Sequence, residues 1–440
     1  MRVVVIGGGI SGLASALRLS KAGAQVTLLE ASDQLGGLGT FFENGGRWID
    51  RFYHCIMPSD DHLLQLIDEV GLTDQLYWRP TKMGFIVGGD RYPFNTAVDL
   101  LRFRPLSFFE RLRFGATSLL LRRLGQGKDL DGMTSAAWLA QIYGQVLWDK
   151  VWAPLYRAKF GDAVDEIPAL YIWQRLGREK NNSTRGYLRC GHKGLIDAIA
   201  DSIRAYDGNL RLSTPVATVE EDGETMRVTL ADGEVLDCDW VISTVPLPLL
   251  LQLIEGTSLR GKFRDPGLKY QGVVNTLFFL SRPLEGYYWI PVLGSNTEFD
   301  GIVEMSTLVD VAQYGDRHLV YAVKYTDRGS QLFAEPDEVI AERWKKQLLE
   351  LFDGIGLGEG DILETRVFRA PFVEPAYPIG YSSIKPEIRS GDSRLLLATT
   401  SQIYPNITSW NSSTRLAGEV VGVLEDAERA LGASSGASRA

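Results

Sequence analysis

Hydrophobic and polar positions alternate at the start of the chain in a way that fixes three elements. Val3-Val4-Val5-Ile6 is wholly apolar and β-branched, as expected of a strand buried on both faces of a parallel sheet. From Leu13 to Ala22 the residues Leu13, Ala14, Ala16 and Leu17 make one apolar helical face, which ends at Gly23. Val26-Thr27-Leu28-Leu29 reads as a second strand, closed by Glu30. The turn between strand and helix contains G-x-G-x-x-G as Gly7, Gly9 and Gly12. In such a turn Gly7 supplies the tight bend, Gly9 lets a pyrophosphate approach the backbone, and Gly12 lets helix and strand pack closely. The helix N-terminus adds free N–H groups and a partial positive charge for that phosphate. Glu30, eighteen residues past Gly12, is spaced to accept hydrogen bonds from ribose hydroxyls, and an acid there argues against a 2′-phosphate.

The same periodicities predict the rest of the chain. Helices are expected over 62–70, 133–143 and 339–352, and after Gly194 along Leu195, Ile196, Ala198, Ile199 and Ile203. β-Structure is expected over 76–93, a strand over 210–216, and a small meander with turns at Asp222-Gly223 and Asp232-Gly233. Buried strands are expected at 240–246 and 395–399, with others at 270–280, 287–292 and 321–325. Trp148, Trp152, Tyr156 and Phe160 read as core aromatics around an apolar cavity. Residues 426–440 are small and polar and are expected to form a disordered tail.

Composition narrows the class. A chain of 440 residues exceeds what one core usually organises, so two domains are expected. Its formal net charge of −9 argues against nucleic acid as a main partner, for want of a basic excess. No stretch of uninterrupted apolar residues is long enough to span a bilayer, and Met1 leads straight into a strand, so a cytoplasmic protein without a signal peptide is expected. Cys55, Cys190 and Cys238 are isolated and odd in number, which predicts buried free thiols in a reducing compartment. Sequons at Asn181, Asn182, Asn406 and Asn411 then read as chance matches, and the four histidines have no metal-site spacing, so no metal is expected. Residues 100–124 are unlike the rest. Six arginines face one acid, Glu110, among Phe103, Phe108, Phe109, Phe114 and several leucines. Such a stretch reads either as a helix pair with arginines in solvent or as a peripheral contact with the inner face of a membrane.

The ten residues after Glu30 carry a family resemblance. Ala31-Ser32-Asp33-Gln34-Leu35-Gly36-Gly37-Leu38-Gly39-Thr40 resembles the E-x(5)-G-G-x-x-T/S extension of two-dinucleotide-binding-domain flavoproteins, the amine oxidase, protoporphyrinogen oxidase and phytoene desaturase group. The resemblance implies FAD rather than NAD. It implies cofactor contacts from Gly7, Gly9, Ile10, Ser11, Gly12, Glu30, Ala31, Gly36, Gly37, Leu38 and Thr40. Trp152 to Gly161 resembles the group's W-x-P-L-x(2)-A-K-F-G block, and Gly191-His192-Lys193-Gly194-Leu195 its G-G-x-x-x-L segment, with a histidine and lysine replacing small residues. Val216 stands where the group meets adenine, and Thr244 lies in its D-x-V-I-x-T-x-P strand. Near the C-terminus Thr399-Thr400-Ser401-Gln402 replaces the usual Gly-acid pair, so Thr399 and Ser401 are expected to serve the ribityl chain. The helix start at Asn411 and Ser412 is expected at the flavin N1–C2=O locus, in a form that resembles UDP-galactopyranose mutase-like proteins.

The implied fold is α/β: a Rossmann-like FAD-binding domain from 1–72, 186–250 and 392–425, interleaved with an α+β substrate domain from 73–185 and 251–391. Arg51-Phe52-Tyr53-His54 falls where relatives bring a segment beside the isoalloxazine, and Asn275 falls where amine oxidases carry a lysine. His54, Arg51 and Tyr404 are the residues expected to polarise substrate. The leading expectation is an FAD-dependent oxidoreductase removing hydride from a lipophilic, isoprenoid-like or polycyclic small molecule to flavin N5. Two others stand beside it. One is redox-neutral chemistry by reduced flavin on a nucleotide sugar or polyene, the other a non-catalytic FAD-stabilised partner protein. Oligomeric state stays open.

Overall fold

The computed structural model describes residues 1–178 and 183–437. Its first sheet is parallel and five-stranded: β1 (Arg2–Ile6), β2 (Gln25–Leu29), β3 (Asn209–Arg211), β4 (Trp240–Ser243) and β5 (Leu395–Leu397), in the order β5-β4-β1-β2-β3. The apolar run of β1 serves both faces because side chains alternate along a strand. Val3 and Val5 point to a core made with helices α1 (Ile10–Lys21), α2 (Gly191–Ala205) and α3 (Trp410–Ala437). Val4 and Ile6 point to a second core, shared with an antiparallel sheet of Val216–Asp222, Thr225–Leu230 and Val235–Cys238 and with the helix Leu247–Leu253. Each such buried aliphatic side chain contributes about 1.5–3 kcal/mol. The α/β architecture expected of the sequence is the one observed.

A seven-stranded mixed sheet stands beside it, ordered Ile362–Ala376, Lys269–Leu280, His318–Asp327, Gly301–Glu304, Trp289–Leu293, Gly84–Val87, Asp90–Pro93. Helix Asp337–Leu351 covers one face with Ile340, Trp344 and Leu348 against Val274 and Phe278. The other face carries Val273, Leu277 and Phe279, and by the two-residue period also Asn275. That face meets Ile49 and Tyr187, next to the first sheet's glycine turns. A helical layer of Ala97–Arg102, Phe108–Gly125, Ser135–Tyr143, Ala153–Phe160 and Ala169–Arg178 closes on an aromatic core of Trp138, Tyr143, Trp152, Phe160 and Tyr171. Among the described residues no helix is long and apolar enough to cross a membrane.

Three expectations need correction, and one strand is new. The strand predicted over 210–216 is broken: β3 stops at Arg211, Ser213 adopts φ 50°, and Val216 instead opens the next sheet. The tail does not begin at 426, since α3 runs on to Ala437, with Ala427 buried and Glu428 accepting a 2.6 Å hydrogen bond from the Trp240 indole. Cys190 is exposed, whereas Cys238 is buried and Cys55 half-buried. The fifteen-residue strand Ile362–Ala376 is one that the pattern of the sequence does not predict. Asn181 and Asn182 lie outside the described residues.

Candidate functional site

The switch point of the parallel sheet lies between β1 and β4, where α/β proteins bind ligands beyond the strands' carboxyl ends. Two glycine turns meet there. Gly7, at φ 104°, takes a conformation that side chains disfavour, and a Cβ on Gly12 would stand 1.9 Å from the Gly7 carbonyl oxygen. Gly36 donates to Gly8 O at 2.9 Å, which lays the second turn, Gly36-Gly37, against Gly9. Thr244 Oγ1 donates to Ile6 O at 3.0 Å and so ties β4 to the first turn. Gly9 is the N-cap of α1 and offers no side chain to its opening N–H groups. Those groups, on Ile10, Ser11 and Gly12, remain available to an anion. Ser11 itself turns away, its Oγ donating to Ala398 O at 2.9 Å. Glu30 accepts from Gly8 N at 2.7 Å, from Ser32 N at 2.9 Å and from Ser32 Oγ at 2.8 Å, and a carboxylate retains a lone pair beyond these three bonds. Ala31 is exposed and Leu38 half-buried, and Thr40 O accepts from Arg51 N at 3.0 Å, which starts the next part of the site.

From Arg51 to His54 the chain leaves the strand Arg47–Asp50 and runs along the inner face of the mixed sheet. Asn275 Nδ2 donates to Arg51 O at 2.7 Å. Asn275 Oδ1 and Arg51 Nε are both buried without a protein partner among the described residues. Around them stand Phe42 and Phe368, 5.0 Å apart, Phe52 at 6.4 Å from Phe368, and Tyr53, whose hydroxyl lies 3.4 Å from that of Tyr325. Lys159 sits 4.2 Å above the Tyr325 ring, its charge met by Glu374 at 2.9 Å. Burial pushes the Tyr53 phenol well above its ordinary range, with Tyr325 adding to the effect.

His54 joins a compact polar group. Its ring lies 5.1 Å from both His192 and Trp410, and its Nδ1 is 3.1 Å from Phe52 O. His192 Nδ1 lies 2.9 Å from Asp50 Oδ2, and Tyr187 donates its hydroxyl to that same oxygen. Burial first, and His192 second, lower the His54 pKa to about 4, so its imidazole is neutral at physiological pH. The histidine found in the G-G-x-x-x-L segment, held by Asp50, thus packs edge-on against the His54 ring. Trp410 and Asp50 are members that sequence reasoning misses. No short motif links them, because they come from separate stretches.

The C-terminal residues fare differently. Thr399 and Ser401 turn on each other, with Oγ atoms 2.6 Å apart and Thr399 Oγ1 donating to Gln402 Oε1 at 2.8 Å. Asn411 Oδ1 caps the helix Asp61–Glu69, accepting from His62 N at 2.9 Å and Leu63 N at 3.1 Å, so the side chain expected at the flavin locus is committed to a helix end. Ser412 Oγ accepts from Ser409 at 3.2 Å. Tyr404 is buried among Tyr171, Tyr377 and Tyr381, and its hydroxyl donates to Asp131, which removes it from substrate polarisation. Val216 is half-buried at the start of its strand.

N–H donors at the start of α1 that no side chain caps, together with a back-to-back pair of glycine turns, fit the phosphates of a dinucleotide, and orphaned polar atoms lie beside an aromatic wall at Arg51–His54. The fold and site therefore define a dinucleotide-binding flavoprotein. The chain belongs to the flavin-containing amine oxidoreductase family, whose model matches residues 10–408. It is an FAD-dependent oxidoreductase. It is 25% identical to a 15-cis-phytoene desaturase of Narcissus pseudonarcissus over 89% of this chain and 75% of that protein. It is 26% identical to amine oxidase B of Sus scrofa over 56% of this chain and 50% of that one. Its fold matches a protein from Exiguobacterium sp. 255-15 that carries the provisional name protoporphyrinogen oxidase, with a TM-score of 0.77 at 19% identity over 96% of this chain and 98% of that one. Reduced UDP-galactopyranose mutase matches with a TM-score of 0.72 at 16% identity, over 96% and 94% of the two chains. At these identities the structural likeness shows the fold alone.

Proposed function

We propose that this chain dehydrogenates a lipophilic, isoprenoid-like or polycyclic substrate, with FAD supplying the hydride acceptor at N5. The observation that carries the reading is the wall facing Arg51–His54. It is largely aromatic and apolar, and two of its titratable groups hold neutral forms: His54 with a pKa near 4 and Tyr53 with a raised one, while the Lys159 charge above Tyr325 is paired with Glu374. Hydride leaving a conjugated carbon needs orientation and a dry pocket rather than an obligatory side-chain base. Phe42, Phe52 and Phe368 offer half-buried apolar surface against which such a substrate packs. Asn275 brings no charge where amine oxidases carry a lysine, which disfavours amine oxidation. The similarity to phytoene desaturases over most of the chain supports the same substrate class.

Product analysis with polyene, porphyrinogen, amine and nucleotide-sugar substrates tests the proposal, run with an electron acceptor and again after prior reduction. A desaturated polyene or oxidised polycycle formed only with the acceptor is the expected result. Product formed only after reduction, with no acceptor consumed, would replace dehydrogenation with redox-neutral chemistry.

A further inference from the structure

The helix Phe108–Gly125 is apolar on two sides. Phe114, Thr117, Leu121 and Gly125 are buried and face the rest of the protein. At 3.6 residues per turn, Phe108, Phe109, Leu112, Ala116, Leu119 and Leu120 fall within an arc of about 120° on the opposite side. All six are exposed, Phe109 to 80% and Leu119 to 87%. Val98 and Leu101 on the adjoining helix Ala97–Arg102 extend the patch. Among the described residues, seven of the 18 exposed large apolar side chains lie between positions 98 and 120, a concentration that scattered surface residues do not produce.

Charge frames this face. Residues 97–128 carry seven basic and two acidic side chains in a protein of net charge −9. On the helical projection Arg111 and Arg122 border the apolar arc on one side and Arg113 borders it on the other, while exposed Arg123 falls within the arc at the C-terminal end of the helix. Glu110 is already paired, with Lys150 at 2.9 Å and with the helix N-cap. The face is a convex ridge, suited to entering a fluid phase. Two copies facing each other would bring their arginine borders into repulsion.

We propose that this ridge docks the protein peripherally on an anionic lipid bilayer. Phe108, Phe109, Leu112, Leu119 and Leu120 enter the boundary between headgroups and acyl chains, and the bordering arginines meet the headgroups. The inference goes beyond the proposed chemistry and does not depend on the substrate.

Co-sedimentation of the full-length FAD-loaded protein with phosphatidylglycerol/phosphatidylcholine vesicles, against phosphatidylcholine alone, tests it without turnover. The wild type is expected to pellet with the anionic vesicles and to be released by salt. Phe109→Ser combined with Leu119→Ser removes two side chains already in water; it should abolish pelleting and leave flavin absorbance intact. Arg113→Gln with Arg123→Gln should weaken binding by about tenfold or more. Three results would overturn the proposal. They are wild type left in the supernatant with both vesicles, apolar variants that pellet undiminished, and a wild-type dimer that the apolar variants render monomeric.

Discussion

Gly12 and His54 place opposite demands on their surroundings, one for space and one for its absence. A methyl at Gly12 meets the Gly7 carbonyl oxygen at 1.9 Å, so Gly12→Ala must deform the turn whose N–H groups face the phosphate site. The variant is expected to lose most of its FAD, read as flavin absorbance per mole of protein, and normal flavin content would remove the turn from cofactor binding. At His54 the folded-state pKa is about 4 against an ordinary 6.5. Between those values the unfolded chain binds more protons than the native one, so the contribution is whole above about pH 6.5 and is lost as pH falls toward 4. Thermal midpoints should decline across that window, with a shallower decline in His54→Gln; identical slopes would contradict the assignment. The glycines are legible in sequence because their spacing is local. The setting of His54 is not, because Asp50, His192 and Trp410 reach it only through the packing of three separate elements.

Elements show where periodicity reads well and where context overrides it. β1, α1 and β2 follow their patterns because a buried parallel strand and an amphipathic helix leave unmistakable periods. The strand Ile362–Ala376 hides behind Pro371, Pro375 and charges at Glu364, Arg366 and Arg369. It sits at the edge of its sheet, where a missing N–H is tolerated and the charges find partners, Glu364 with Arg317 and Arg369 with Asp337. Composition misplaces the end of α3, although Leu416, Val420, Leu424 and Ala427 make one buried stripe that continues past 425. Motif likeness assigns Asn411 to the cofactor, yet it caps the helix Asp61–Glu69. Asn411→Ala should therefore cost about 1 kcal/mol of stability, seen as a lower thermal midpoint with unchanged flavin content. Lost flavin at an unchanged midpoint would return Asn411 to the cofactor.

On the scale of the whole molecule, two sheets from interleaved stretches are joined where glycine turns meet an aromatic wall. The family and its cofactor are legible from the Gly7–Thr40 motif, and the family model spans nearly the whole chain. The wall on which the substrate proposal rests is not, since Phe42, Phe52, Asn275 and Phe368 come together only through the fold. Reduction of the bound flavin in the absence of oxygen tests the account most directly, by following the visible flavin band as single substrates are added. Bleaching by a polyene or reduced polycycle, and not by primary amines, is the predicted result. Bleaching by an amine alone would contradict the account.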